Sequence, residues 1–520
     1  MVTDRRRFLR RAFAAAAAAF LAPAASRAAR PARFSSHPFT LGVASGCPTA
    51  TGFVLWTRLA PEPLAGGGLG PEGIEIGWEI AHDERFARIA RRGTVRAEAA
   101  RAHAVHVEAG GLEPGRWYHY RFLAGGEASA TGRARTAPAP GGDGALRLAL
   151  ASCQHYEQGH FVAHRHLAAD APDLVAFVGD YIYESSWGRG HVRKHGAGEP
   201  RTLDEYRVRH ALYRTDPDLQ AAHACAPWLA TWDDHEVDND YAGDRAEDLD
   251  PRFLARRAAG YRAYFEHLPL RPAMLRPDGE LRLYGEHAWG GLATLFVLDG
   301  RQYRDPQACP RAGRGGGNVV GPWCEERLAA GRSMLGEAQE RWLAGALAAS
   351  SARWNLVVQQ TLVAPAGRRS ERGAQHWTDG WDGYPGARER LLDAIAESGA
   401  ANPVVLGGDV HASFVANLHR RPEDPGSPVV AAEFCGTSIS AQGPGARRVA
   451  AIREANPHIL HADGSQRGYT LLDLGRDRLE ARLRVVETVK RADAGVATAA
   501  TFTVAAGRAG VEVPPAKDGD

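Results

Sequence analysis

The chain has 520 residues, more than one hydrophobic core usually serves, so at least two domains are expected. Hydrophobic residues make up 44% and charged residues 24%, the mixture of an ordinary globular protein. The 63 Lys+Arg against 61 Asp+Glu leave a formal net charge of +2, which gives no electrostatic reason for a stable nucleic-acid partner or a polybasic membrane contact.

The N-terminus reads as an address rather than as fold. Arg5-Arg6-Arg7-Phe8-Leu9-Arg10 precedes the apolar run Ala12 to Leu21 and then Ala22-Pro23-Ala24, the layout of a secretory signal. Its Arg-Arg-x-Phe-Leu core resembles the twin-arginine signal, which implies the twin-arginine export machinery as a partner and a periplasmic or secreted location. The apolar run is about half of what a bilayer crossing needs, so no transmembrane anchor is expected. Residues 1–36 are assigned to signal and leader, with the mature chain starting between 25 and 37.

From residue 37 to 138 the pattern is one of short strands separated by Gly and Pro. Gly52 to Leu59, Ile74 to Ile80, His103 to Val107 and Trp117 to Leu123 predict a β-sandwich of the immunoglobulin or fibronectin III kind. Residues 139–145, rich in Pro and Gly, read as a linker. From 146 to 510 the texture becomes α/β. Strands are predicted at Leu146 to Ser152, Leu174 to Val178, Ala226 to Thr231, Leu292 to Leu298, Trp354 to Val358 and Val404 to Leu406. Helix-like runs lie between them at His160 to Ala169, Asp204 to Tyr213, Phe253 to His267, Gly336 to Ala348 and Ala387 to Ser398. Gly468 to Leu474 and Leu479 to Glu487 read as a strand pair, and 511–520 as a polar tail.

Six cysteines suit an oxidising destination. Cys309 and Cys324 flank a Gly-rich stretch where a disulfide would staple a loop, and a pairing of Cys47 with Cys435 is left open.

The acids carry the chemistry. Phe177-Val-Gly-Asp180 and Val405-Leu-Gly-Gly-Asp409 are the same device, an apolar strand that leaves through glycine and ends on aspartate. Together with the Asp/His-dense stretch 233–240 they predict oxygen and imidazole ligands converging on hard or borderline cations.

Four motifs make the pattern specific: Ser152-Cys153-Gln154, Gly179-Asp180-Tyr-Ile-Tyr183-Glu184, Trp232-Asp-Asp-His235-Glu-Val-Asp-Asn239 and Gly408-Asp409-Val-His411. In this order, across nearly the whole chain, they resemble the PhoD-type alkaline phosphatases/phosphodiesterases, exported enzymes with a metallophosphatase core. The resemblance implies an N-terminal β-sandwich followed by an α/β metallophosphatase domain with central sheets flanked by helices. It also implies one Fe3+ and two Ca2+, with Cys153, Asp180, Tyr183, Asn239, Asp409 and His411 as metal ligands. Asp180, Asn239, His235 and His411 would take part in catalysis, by attack of a metal-activated hydroxide on phosphate monoesters and diesters.

Cys153 as thiolate and Tyr183 as phenolate suit a strongly acidic metal, and Asp180 can bridge two ions. Asp233, Asp234 and His235 are read as ligands, as acceptors behind ligands or as helpers to the leaving group. The wider metallophosphatase signature has Asn where Asp234 stands. Substrates would be phosphoester small molecules or lipid-derived diesters, handled by a monomer. Two other readings are a metal-independent carbohydrate-binding or adhesion module and a serine hydrolase. The first leaves both strand-ending aspartates without a purpose, and the second lacks a Gly-x-Ser-x-Gly elbow.

Overall fold

The computed structural model describes residues 33–371, 373–424 and 426–512. Most of the signal and leader at 1–36, and most of the tail at 511–520, therefore lie outside the described residues. Two large sheets pack face to face with helices on both outer sides.

The first sheet has nine strands and places Leu146–Ala151, Leu174–Val178 and Pro227–Thr231 side by side in parallel at its centre. The second has seven strands, with Ala293–Val297, Trp354–Val358, Pro403–Gly407 and Val429–Cys435 running in parallel. Strands buried on both faces read as unbroken apolar runs, which is how these segments stand in the sequence. The two-residue period still sorts them. Leu146, Leu148 and Leu150 meet Leu295, Leu356 and Leu406 between the sheets, whereas Ala149 and Ala151 face the helices outside. Helices Val162–Ala169, Leu203–Arg214, Pro217–Cys225 and Phe253–His267 cover the first sheet. Glu337–Ala349, Pro385–Glu397 and Ala446–Ala455 cover the second.

Helix ends follow local chemistry. Leu203–Arg214 begins with a reciprocal capping box between Thr202 and Glu205, and Pro217–Cys225 begins with Asp216 accepting from two backbone amides and Pro at its first position.

The N-terminal strands form a sandwich, one layer of which belongs to the large sheet. Val43–Thr49 pairs in parallel with Pro227–Thr231, and Gly52–Arg58 and Ala104–Ala109 extend the same sheet to its edge. The second layer is built from Ile74–Ala81, Ile89–Ala97, Trp117–Ala124 and Gly132–Arg135. Phe53, Leu55, Ile76, Ile80, Tyr118 and Phe122 fill the space between. Across the junction the buried Trp56 indole donates to Glu266 O at 3.0 Å, and His106 stacks on Phe265 with ring centroids 4.4 Å apart.

Cys309 and Cys324 form a disulfide. The pairing of Cys47 with Cys435 does not occur: both are free and buried, the Cys47 thiol directed at Pro269 O and the Cys435 thiol at Gly408 O. Among the described residues no helix is long and apolar enough to cross a membrane.

Because Pro227–Thr231 is completed by Val43–Thr49, a chain beginning at residue 139 would expose a flat apolar strand edge. Such a fragment is expected to aggregate or to lose its cooperative unfolding transition. Size-exclusion chromatography and thermal circular dichroism check this; a monomeric fragment melting cooperatively at the temperature of the full chain would refute it.

Candidate metal centre

Four central strands end on one rim. Leu146–Ala151 leads to Cys153, Leu174–Val178 to Asp180, Pro227–Thr231 to Asp233 and Asp234, and Pro403–Gly407 to Asp409. Right-handed crossover topology puts loops of different strands at the same carboxyl end, so residues far apart in sequence meet there. The strand exits are tight. A Cβ on Gly179, whose φ is +102°, would run into Asp233, and one on Gly408 would run into Ser152. Five acids, thiols and imidazoles at the site sit in left-handed backbone themselves: Cys153 (φ 62°), Asp180 (56°), Asp240 (52°), Asp409 (64°) and His411 (52°). Non-glycine residues there cost on the order of 1 kcal/mol or more each and persist only where the surroundings hold them.

Three groups of donor atoms result, each with its ligand atoms within 4.8 Å of one another: Cys153–Asp180–His411, Asp180–Asp234–His235 and Asp234–Asp240–Asp379. Asp180 belongs to two groups and Asp234 to two, so the groups form a chain. In the first, the Tyr183 hydroxyl lies 2.7 Å from Asp180 Oδ2 and 3.0 Å from His411 Nε2. His411 Nδ1 is 2.9 Å from Gln442 O, which requires the ring proton on Nδ1 and leaves the Nε2 lone pair toward the group. Asp180 Oδ1 is buried with no hydrogen-bond partner. A buried, orphaned carboxylate oxygen beside a thiol, a phenol and an imidazole lone pair fits a cation and little else.

The second group holds His235, whose Nδ1 meets a Glu184 carboxylate oxygen at 2.6 Å. In the third, Asp379 already accepts from Arg301 at 2.7 and 2.8 Å and from Arg304 at 2.9 Å. That end of the chain therefore has two built-in arginines, whereas Asp180 has His235 beside it and no arginine. Asp233 is also held by Arg301, which places it behind the ligand groups rather than among them.

Of the residues expected from sequence, Cys153, Asp180, Tyr183, His235 and His411 are brought into direct contact with these groups. Asp409 lines the same cavity. Asn239 also lines it, with its backbone amide on Glu184 and its side-chain amide donating to Glu247 at 3.1 Å. The sequence reading assigned no role to Asp240 or Asp379. Asp240 ends the very run that includes Asp233, and Asp379 sits between Trp377 and Trp381, with only its acid-rich neighbourhood as a signal. Arg301 follows Val297-Leu-Asp-Gly, a further strand-acid-glycine exit that could have been read. The groups floor an open cavity of about 980 Å3. Trp187 stacks against His411 at 5.8 Å, nearly parallel, as one wall.

Without cations the electrostatics are adverse. Burial pushes the Asp180 and Asp240 carboxyls well above the usual range, Asp233 up to about 8 and Asp409 up to about 6, with neighbouring aspartates adding to the effect. Burial and the nearby Asp180 raise both the Cys153 thiol and the Tyr183 phenol. Burial would lower His235, but Glu184, Asp234 and Asp180 reverse that and hold it protonated. His411 is pushed down to about 3 by burial and Arg467.

The sign of the resulting pH dependence follows. A carboxylate raised in the folded state binds its proton more tightly there, so its stabilisation fades as pH climbs toward the folded value. Histidines depressed by burial act in the opposite sense only below about pH 6.5. Between pH 6.5 and 8 the metal-free protein should therefore lose stability as pH rises, through Asp233 and the equally raised Glu236 together with Asp180 and Asp240, and added divalent or trivalent cations should flatten that slope. Urea midpoints at pH 6.5, 7.2 and 8 with and without metal check it; a metal-free midpoint that rises with pH would contradict the acid-crowding account.

Comparisons with known proteins agree with this architecture. The family model described as PhoD-like phosphatase matches residues 148–483, and that of the PhoD-like phosphatase N-terminal domain matches residues 24–138. Alkaline phosphatase D of Bacillus subtilis (strain 168) is 44% identical over 481 residues, covering 90% of this chain and 81% of the relative. Among solved structures, that of PhoD superposes with a TM-score of 0.87 at 43% identity over 91% of each chain. The purple acid phosphatase PPD1 from yellow lupin (Lupinus luteus) seeds gives a TM-score of 0.55 at 12% identity, covering 89% of this chain and 73% of that one, a likeness of fold alone.

Proposed function

The chain belongs to the PhoD-like phosphatase family, and from that premise we propose that it hydrolyses both phosphate monoesters and diesters outside the cytoplasm with one ferric iron and two calcium ions. That it is a phosphatase follows from the family. The observation that carries the metal assignment is the first donor group. A thiol, a phenol, a carboxylate and an imidazole lone pair cluster at Asp180, and among the described residues this is the one of the three donor groups that includes a thiol. Burial holds Cys153 and Tyr183 in their neutral forms, so only a strongly Lewis-acidic ion would draw the protons off both. Cys153, Asp180 and Tyr183 would hold iron, with His411 beside them. Asp180, Asn239 and Asp409 would hold calcium, supported by the all-oxygen Asp234, Asp240 and Asp379.

Such cations, when bound, neutralise charge on phosphoryl oxygens and make water acidic enough to attack in line. The chain's own residues do the rest. His235 stays protonated, steered by Glu184, and stands where it can give a proton to the departing alkoxide. Gln442 fixes the His411 tautomer and Trp187 its ring plane, so that Nε2 keeps facing the reacting zone. Arg301 clamps Asp233 and Asp379 and so keeps the third acid group from collapsing on the second.

The N-terminal Arg-Arg-x-Phe-Leu supports export through the twin-arginine route, which moves proteins already folded around their metals. The alcohol portion of the substrate would come from small phosphoesters or lipid-derived diesters, and the enzyme would act as a monomer.

Elemental analysis of the folded protein, paired with assays on aryl phosphate mono- and diesters, tests the reading: iron and calcium near one and two per chain, with turnover abolished by chelation. Cys153→Ser should lose most iron, visible charge-transfer absorption and at least about a hundredfold of activity while its far-ultraviolet circular dichroism stays unchanged. Full iron content and turnover in that variant would sink the ligand role of Cys153, and activity with zinc or manganese alone would sink the iron–calcium assignment.

A further inference from the structure

The cavity that contains the metal centre is much larger than a phosphate needs, and its far wall is basic. Gln442, which receives His411, leads through Gly443 and Pro444 into the helix Ala446–Ala455. Both loop residues line the cavity, and six residues beyond Gln442 the exposed Arg448 lines it too. Arg368, half-buried on the loop after Ala364 and Ala366, lines the same stretch. Among the described residues the Arg448 guanidinium has no hydrogen bond and no ion pair. The Arg368 guanidinium has a single long contact, 3.4 Å to Gln375 Oε1, and no carboxylate. The two cations stand close enough that Arg368 adds to burial in lowering the pKa of Arg448.

Elsewhere in this protein most arginines near the cavity are matched with acids: Arg301 and Arg304 with Asp379, Arg388 with Asp382, Arg314 with Glu247, Arg201 with Asp250; among the described residues Arg311, which also lines the cavity, has no acid. Leaving Arg368 and Arg448 in one cavity, within each other's field and without an acid, costs repulsion that an anion would remove. The helix adds to the field. Its first turn contains no acidic residue, and it begins at the rim with unsatisfied backbone amides and the positive end of its dipole. Phe414 and Ile452 line the wall between as apolar surface.

We propose that Arg368 and Arg448, at the start of the Ala446–Ala455 helix, form a second anion subsite that binds a phosphate or carboxylate carried by the alcohol portion of the substrate. The inference rests on the phosphoesterase reading above and narrows its substrate class to phosphodiesters bearing a further negative charge a few atoms from the scissile phosphorus. The subsite acts on binding and positioning and touches no reacting atom.

Two matched probes test it with metal-loaded full-length enzyme and nitrophenol release as the readout: 4-nitrophenyl 3-phosphonopropyl phosphate, whose carbon-bound terminal phosphonate is not an ester, and 4-nitrophenyl 3-hydroxypropyl phosphate, which lacks that charge. The wild type should favour the phosphonate-bearing probe about five- to tenfold in kcat/KM, mainly through KM, and the preference should shrink with added salt. In the double variant Arg368→Ala/Arg448→Ala the ratio should fall to near one, and Arg368→Lys/Arg448→Lys should restore most of it. Equal turnover of the two probes by the wild type, or a ratio unchanged in the alanine variant, overturns the subsite and leaves the phosphoesterase reading standing. Turnover of neither probe by metal-loaded wild type overturns that reading and the subsite with it.

Discussion

Everything at the rim of the two sheets depends on how buried negative charge is balanced. Asp180, Asp233, Asp234, Asp240 and Asp379 are all buried there, with Asp409 half-buried beside them. Protein cations reach only part of this set. Arg301 serves Asp233 and Asp379, Arg304 serves Asp379, and His235, paired with Glu184, is the cation shared by Asp234 and Asp180, which no arginine reaches. An isolated carboxylate in such surroundings either takes a proton or finds a cation. The raised pKa values at Asp180 and Asp240 describe the first solution, and the orphaned Asp180 oxygen offers a ligand atom to the second. A metal centre is thus less an addition to this fold than the missing half of its electrostatics.

The backbone pays toward the same end. Left-handed conformations at Cys153, Asp180, Asp240, Asp409 and His411 are locally unfavourable, and each bends a strand or loop so that a side chain turns inward over the rim. Such bends survive because the strands below them are fixed on both faces, by the inter-sheet leucines on one side and the helices on the other. The nine-stranded sheet extends that support into the N-terminal layer, so the strands that bear Asp180 and Asp234 are interior strands rather than edges. Rigid support far from the chemistry is what keeps the donor atoms convergent.

Much of this was legible in the sequence. Apolar runs of strand length ending in Gly-Asp located the central strands to within a residue or so, and Phe253–His267 matches its predicted helix at both ends. The Leu203–Arg214 helix could be read from its Thr-x-x-Glu start. Sharing of the large sheet by the N-terminal strands could not, because pairing of Ser45 with Pro227 spans most of two hundred residues and leaves no local trace. Asp379 was hidden for a similar reason: its loop reads as Gly/Asp-rich surface, and Arg301, Arg304 and Gln307, themselves distant in sequence, pull it inward. Asn239 shows the opposite limit. Its position in the motif was clear, but its amide is engaged by Glu247, a partner that the motif does not contain.

The order of donors along the cavity also explains how chemistry and recognition can be separated in one opening. Polarisable donors lie deepest, at Cys153 and Tyr183, where burial is complete and a thiol or phenol will not ionise unaided. Oxygen donors occupy the middle and grade from Asp180, which no arginine reaches, to the arginine-held Asp379. Cationic side chains without acids, Arg368 and Arg448, stand outermost where water still reaches them. Attraction between a guanidinium and an anion is weak and salt-sensitive at such a wall, which suits capture and alignment. The same attraction at the floor would be strong enough to hold product. Placing the hardest electrostatics where the solvent is scarce and the softest where it is plentiful lets the site bind a charged ester tightly only at the atoms that must change.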